Sequence, residues 1–316
     1  MVSAFLVLVP MAPFALMRAC EAAERSPLAP VEAELPVLPI CCSPLGALAD
    51  PDGGGPLPPL PGPTLQRAAR RWAWRPLEVP SWKILTSDHF MVRGDVPLED
   101  LRRVAACLEA FLEAMRETLG GDPPVMRHPV RIFAAARDFR LYASLAGAPN
   151  AESFYDPRTA EMVLCLDPPR GPEWLHRTLA HELTHLYMDR VWGRTEPLWF
   201  AEGLAEYFAS FQVRDGRVLP GAVDPEALRR LREREPLPLG RFLRIGREEL
   251  YGDSFPYHYA QAWSFVHYLF SRKDGLIDLL LRGGSLEDPE AMEEGWRGHV
   301  KKLLEVSNQP SVVSGQ

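Results

Sequence analysis

The chain has 316 residues, 47% of them hydrophobic, so it can bury a substantial core in one large domain or two small ones. Its net charge of −7 and pI near 5.7 argue against binding to nucleic acid or to an anionic membrane surface. The five cysteines are odd in number and form no C-x-x-C pair, which argues against a disulfide framework or a zinc knuckle.

The N-terminal segment opens with an apolar run over residues 2–17 that two prolines interrupt, so it is too short and too broken for a transmembrane helix. A secretory signal over residues 1–23 is the better interpretation, and we expect an exported protein of the periplasm, the cell surface or the exterior. The run lacks a basic start and ends at Arg18. A misassigned start codon or a disordered N-terminus therefore stays open, and the protein would then be cytoplasmic.

Residues 24–73 are rich in proline and glycine and predict a flexible linker, because such a segment buries too little apolar surface to offset its ordering entropy. A proline-rich ligand for a partner domain is the alternative. Residues 74–306 are predicted to form an α+β domain, followed by a flexible tail at 307–316.

The first half of this domain alternates strands and helices, a pattern that predicts a small mixed β-sheet with helices. Strands are expected near 82–86, 89–93, 130–134, 153–155 and 161–166, and helices at 97–119 and around 139–145. The second half is predicted to be mostly helical, with a hairpin at Asp215-Gly216. Its expected helices lie near 172–192, 197–208, 224–234, 257–270, 275–281 and 289–306.

The motif His-Glu-Leu-Thr-His at residues 181–185 lies within the predicted helix 172–192. Residues four apart project from the same side of an α-helix, so His181 and His185 can bind one metal ion. Glu182 lies at the edge of that face, where its carboxylate can reach a metal-bound water rather than the metal. This is the H-E-x-x-H arrangement of zinc hydrolases. The alternative is a buried helix with two hydrogen-bonded histidines.

Two other polar residues of this helix are poor candidates for a third ligand. His176 lies about 140° around the helix from His181. Asp189 shares the motif face, but three ligands in line on one helix cannot surround a tetrahedral ion. A third protein ligand must therefore come from another segment.

The predicted helix 197–208 contains two glutamates, Glu202 and Glu206, that share one face of an otherwise apolar segment. Gly203 costs about 1 kcal/mol relative to alanine in a helix, and close approach of another backbone is a good reason for it. We interpret this segment as a helix packed tightly against the motif helix, with Glu202 as the third metal ligand. Glu206, one turn on, would accept a hydrogen bond from a ligand imidazole. The alternative is an amphipathic helix with two surface glutamates.

The motif at 181–185, followed by Trp199–Tyr207, resembles the gluzincin metallopeptidases, in particular the bacterial peptidase MA-like domain (DUF1570). The similarity begins at Trp82 and extends to the helix that contains Tyr259–Trp263. The paired motifs are the specific part of this resemblance.

The resemblance implies a zincin-like metallopeptidase architecture, with Zn²⁺ held by His181, His185 and Glu202 and with Glu182 as general base. It also implies that the edge strand of the sheet can pair with an extended peptide. We expect that edge strand to be the segment ending at Leu166.

These patterns together predict a zinc-dependent metallopeptidase that hydrolyses peptide bonds through a metal-bound water, with Glu182 as general base. Tyr259, at the head of its helix, is our candidate for stabilising the oxyanion, and Tyr251, Tyr257 and His258 are the alternates. The expected partner is a peptide or protein substrate, and the oligomeric state stays open. The competing interpretation is a non-catalytic zinc-binding or protein-interaction module on the same fold.

Overall fold

The computed structural model describes residues 82–124, 126–167, 171–193, 197–286 and 288–307. The predicted signal at 1–23, the predicted linker at 24–73 and the tail after Ser307 lie outside these described residues, so export stays a prediction. Contacts divide the chain into two compact units. Within the described part, the first unit holds residues 82–113 and 123–186, and the second holds residues 114–122 and 187–307.

The first unit contains a five-stranded mixed β-sheet. Its strands are β1 (Lys83–Thr86), β2 (Phe90–Gly94), β3 (His128–Phe133), β4 (Ser153–Asp156) and β5 (Glu161–Cys165). They lie in the order β1-β2-β3-β5-β4, with β2, β3 and β5 parallel and with β1 and β4 antiparallel to their neighbours. The predicted α+β class with a small mixed sheet is therefore confirmed.

The prediction that the edge strand ends at Leu166 is wrong. That segment is β5, which pairs with β3 on one side and with β4 on the other. The edge strand here is β4, which a short turn folds back onto β5, with Ser153 opposite Leu164. Sequence patterns identify β4 and β5 as a local pair, but they carry no signal for the long-range pairing of β5 with β3 that decides which strand is outermost.

Three helices accompany the sheet: α1 (Leu98–Leu119), α2 (Ala136–Ala146) and α3 (Pro172–Tyr187). Aromatic and aliphatic side chains of α2 pack against one face of the sheet, in a cluster that includes Phe133, Phe139 and Val163, with Phe154 against it. Successive residues of a strand point to opposite faces. Ser153, next to Phe154 on β4, therefore points to the face opposite this cluster.

A buried ion-pair cluster lies on the α2 side of the sheet. The Glu161 carboxylate accepts hydrogen bonds from Arg93 at 2.6 Å, from Arg131 at 3.0 Å and from the Tyr142 hydroxyl at 2.7 Å. Burial by itself would raise the pKa of Glu161, but the two arginines and these hydrogen bonds hold it below its ordinary value. Glu161 is therefore ionised at neutral pH, and its charge is compensated within the core.

The second unit is mostly helical, as predicted. Its elements are α4 (Leu198–Ala209), the hairpin β6 (Phe211–Arg214) and β7 (Arg217–Pro220), α5 (Pro225–Glu233), α6 (Leu239–Phe242), α7 (Arg247–Leu250), α8 (Phe255–Arg272), α9 (Leu276–Leu281) and α10 (Pro289–Ser307). The helices α6 and α7 were not predicted, because a single turn shows no hydrophobic period. In the described part of the chain, no helix combines the length and apolar character needed to cross a membrane.

Helices α4 and α8 pack with their backbones unusually close at Gly203. A Cβ atom placed on Gly203 would lie 2.6 Å from the carbonyl oxygen of Ala262 and 2.8 Å from a methyl group of Val266. The predicted close backbone approach at Gly203 is therefore confirmed. The helix that approaches Gly203 is α8, whereas the sequence interpretation assigned this role to the motif helix.

Candidate metal centre

The motif lies on α3, whose orientation in the first unit is fixed by a buried leucine stripe: Leu175, Leu179, Leu183 and Leu186. The helix continues as one π-helical stretch over Met188–Trp192 and ends at Gly193, which adopts a positive φ of 65°. Glycine takes this left-handed conformation without steric cost, and the predicted helix end is therefore confirmed. The stripe leaves another side of α3 for His181 and His185.

The two motif histidines bring their Nε2 atoms within hydrogen-bond distance of each other. The Nε2 atoms of His181 and His185 are 3.2 Å apart, and their ring centroids are separated by 4.9 Å. Two nitrogens bound to one tetrahedral zinc ion at about 2.0–2.1 Å would be separated by about 3.3 Å. Both side chains are partly exposed. The spacing of the two nitrogens therefore suits ligands of a single ion.

Glu182 is a buried carboxylate, with 6% of its surface exposed. The hydroxyl of Ser153, at the start of β4, donates a hydrogen bond of 2.6 Å to its Oε1 atom. The edge strand therefore contacts the predicted general base directly. Sequence analysis did not identify Ser153, because nothing in the local pattern distinguishes it from other serines near a turn.

Glu202 lies on α4 and is also buried, with 5% of its surface exposed. The Tyr251 hydroxyl donates a hydrogen bond of 2.6 Å to its Oε1 atom, and the Tyr259 hydroxyl is a second hydrogen-bond partner of the same carboxylate. The alternative of a surface glutamate is wrong for Glu202. Within the second unit, the Glu202 carboxylate is hydrogen-bonded to two tyrosine hydroxyls.

Tyr259 lies in the second turn of α8. Burial raises the pKa of its hydroxyl far above the ordinary range, and the neighbouring Glu202 carboxylate raises it further. The negative charge of Glu206 also raises the pKa of Tyr259, so Glu206 lies near this hydroxyl. Tyr259 therefore stays protonated and keeps an O–H to donate. The role of Tyr259 as hydrogen-bond donor to the oxyanion stays a prediction. The role of Glu206 as hydrogen-bond acceptor for a ligand imidazole stays a prediction too.

The predicted ligands are divided between the two units: His181 and His185 lie in the first unit, and Glu202 lies in the second. Two imidazole nitrogens and one carboxylate oxygen form a donor set that zinc uses in catalytic sites. The residues present therefore fit the metal that the sequence predicts.

The other polar candidates lie in different surroundings. Burial, and then the charge of Arg103, lowers the pKa of His176 to about 4, so this side chain is neutral at physiological pH. The Tyr257 ring lies against the Arg234 guanidinium, 5.4 Å from the ring centroid. His258 is buried in α8, with 5% of its surface exposed. Of the alternates to Tyr259, Tyr251 is the one hydrogen-bonded to the predicted ligand carboxylate.

A family model described as "Protein of unknown function (DUF1570)" matches residues 176–289. These residues run from within α3 to the start of α10 and include the motif, α4 and the α7–α8 segment. The chain is therefore similar to this family over that range. No curated protein matches the chain.

Proposed function

We propose that this protein is a zinc-dependent metallopeptidase of the gluzincin type, with a zincin-like, peptidase MA-like architecture. The observation that carries this proposal is the 3.2 Å separation of the Nε2 atoms of His181 and His185. The buried carboxylates of Glu182, which follows His181 in the chain, and of Glu202, in the second unit, support it further. In this proposal, His181, His185 and Glu202 hold the ion, and the partly exposed histidines leave substrate access from solvent.

Zinc, when bound, lowers the pKa of a coordinated water toward 7 and polarises the substrate carbonyl. Glu182 accepts a proton from the attacking water and then returns it to the leaving amine. The hydrogen bond from Ser153 holds one carboxylate oxygen of Glu182 in place and leaves the other oxygen to carry the proton. Ser153 is therefore a positioning residue for the base.

Tyr259 is the proposed donor to the oxyanion that forms when water attacks the peptide carbonyl. Its raised pKa supports this role, because a phenol that stays protonated can donate at any physiological pH. Preorganised donors of this kind contribute about 3–4 kcal/mol to transition-state stabilisation in other hydrolases.

The proposed substrate is an extended peptide that adds to β4, the outermost strand on this side of the sheet. All four residues of β4 are partly exposed, and its inner side is paired with β5. An extended peptide can extend a β-sheet by hydrogen bonding to the backbone of its outermost strand. Because Ser153 of β4 contacts Glu182 at 2.6 Å, a peptide on this edge would lie beside the base.

The competing possibility is a non-catalytic zinc module. Structural zinc sites fill all four positions with protein ligands, whereas catalytic sites use three and leave one for water. In this proposal three side chains hold the ion, and Glu182, the buried carboxylate that follows His181, remains to act as the base. This arrangement favours catalysis over a purely structural site.

The substitution Glu182→Gln tests the proposal, because it keeps the size of the side chain and removes its basicity. Zinc content and digestion of a peptide library should be measured on the full chain, with Glu173→Gln as the control, since Glu173 is exposed on the same helix. We expect both variants to keep one zinc per chain and Glu182→Gln alone to lose hydrolysis by about 100-fold or more. Unchanged hydrolysis in zinc-loaded Glu182→Gln would overturn the mechanism. A wild type that binds zinc and cleaves no library peptide would favour the non-catalytic module.

A further inference from the structure

Glu202 is held by two tyrosine hydroxyls that come from different parts of the second unit. Tyr251 follows α7 and donates to Oε1 at 2.6 Å, whereas Tyr259 lies on α8. We propose that Tyr251 is a positioning residue that orients the Glu202 carboxylate for metal binding. This inference rests on the proposed function, because it takes Glu202 as the third ligand.

Several contacts hold the segment around Tyr251 in place. Leu250, its neighbour, is fully buried and anchors the end of α7. The Tyr251 amide donates to the carbonyl of Arg247 at 3.0 Å, and the next amide, that of Gly252, donates to Glu249 at 3.3 Å. The Arg247 guanidinium also lies against the Tyr251 ring, 5.4 Å from its centroid. These contacts hold the backbone and the ring of Tyr251 and so position its hydroxyl, although 39% of the residue is exposed.

A carboxylate ligand needs such a partner because rotation about its terminal torsion is soft. A hydrogen bond to one oxygen fixes the plane of the carboxylate and so fixes where the other oxygen points. Removing a partner of this kind from a metal ligand generally weakens metal binding by about 10–100-fold. The exposure of Tyr251 means that its hydroxyl can be removed without opening a core cavity.

This role differs measurably from the oxyanion role for which Tyr251 is an alternate. An oxyanion donor acts on the transition state, so its loss lowers kcat and leaves zinc affinity unchanged. A residue that orients Glu202 acts on the metal site in the absence of substrate. Zinc affinity is therefore the quantity that separates the two roles.

The experiment is a zinc titration of the full chain against a chromophoric chelator, for wild type and Tyr251→Phe. We expect Tyr251→Phe to bind zinc about 10–100-fold more weakly. Tyr257→Phe is the matched control, because it removes a phenol hydroxyl near the start of α8, from a ring that lies against Arg234. It should bind zinc as wild type does. Equal zinc affinity of wild type and Tyr251→Phe would overturn the proposal.

A double-mutant cycle with Glu202→Gln completes the test. If Tyr251 acts through Glu202, adding Tyr251→Phe to Glu202→Gln should weaken zinc binding no further, and a full additional loss would contradict the proposal. If Glu202→Gln alone binds zinc as wild type does, the third-ligand assignment fails together with this inference. Thermal unfolding of each variant in EDTA measures the stability of the metal-free fold. If Tyr251→Phe lost zinc affinity and also lost stability in EDTA, the weaker binding would reflect a general loss of fold and would contradict a local role.

Discussion

The substitution Gly203→Ala should destabilise the second unit, although alanine is ordinarily the better helix former. The added methyl group would lie 2.6 Å from the carbonyl oxygen of Ala262 and 2.9 Å from its carbonyl carbon. Both are backbone atoms of α8, so no side-chain rotation can relieve the contact. Helices α4 and α8 would have to separate by several tenths of an ångström along a packed interface.

The magnitude follows from two opposing contributions. Alanine gains about 1 kcal/mol over glycine in a helix interior. Overpacking a close-packed core costs about 1–3 kcal/mol, and the backbone contact at Gly203 places this case at the upper end. The net change in the free energy of unfolding is then about 2 kcal/mol of destabilisation. For a folded unit of this size, that corresponds to a fall in Tm of about 4–8 °C.

The assay is denaturant unfolding of Gly203→Ala beside Gly298→Ala, both as the full chain. Gly298 lies exposed in α10, and a Cβ there would meet no atom within 4 Å. The control should therefore be neutral or more stable than wild type by up to about 1 kcal/mol. Equal stability of Gly203→Ala and Gly298→Ala would show that the backbone contact does not require glycine at 203.

Three further predictions concern the first unit. Glu161→Ala should cost about 3–5 kcal/mol in denaturant unfolding, because it leaves Arg131 buried without its carboxylate; a cost below about 1 kcal/mol would contradict this. The pKa of His176 is depressed to about 4, so protonation of the unfolded chain should lower stability as pH falls from about 6.5 to 4, by up to about 3 kcal/mol. A His176→Leu variant should lose this part of the pH dependence, and an unchanged profile would refute it. Ser153→Ala should lower kcat about tenfold at unchanged zinc affinity, because it frees the Glu182 carboxylate to rotate; an unchanged kcat would show that the contact has no positioning role.

Local signals in the sequence predicted much of the fold. The hairpin at Asp215-Gly216 is an example, since both residues have positive φ, 52° and 77°, as a tight two-residue turn requires. Asp224 was expected at a helix start, and its carboxylate accepts hydrogen bonds from the first-turn amides of α5. In these cases the residues that decide the conformation are neighbours in the chain.

The parts that sequence analysis missed depend on contacts between distant segments. The edge position of β4 follows from the pairing of β5 with β3, and no local pattern encodes it. The contacts of Ser153 with Glu182 and of Tyr251 with Glu202 join residues 29 and 49 positions apart. Serines near turns and tyrosines beside short helices are common, so their residue types do not indicate that they contact Glu182 and Glu202.

The measurement that tests the central claim most directly is equilibrium zinc binding by wild type and Glu202→Ala, with Glu173→Ala as the surface control on α3. We expect one zinc per chain for wild type and for the control. For Glu202→Ala we expect an affinity loss greater than about 100-fold, beyond the effect of a residue that only orients a ligand. Zinc binding by Glu202→Ala with the affinity of wild type would contradict the proposed centre.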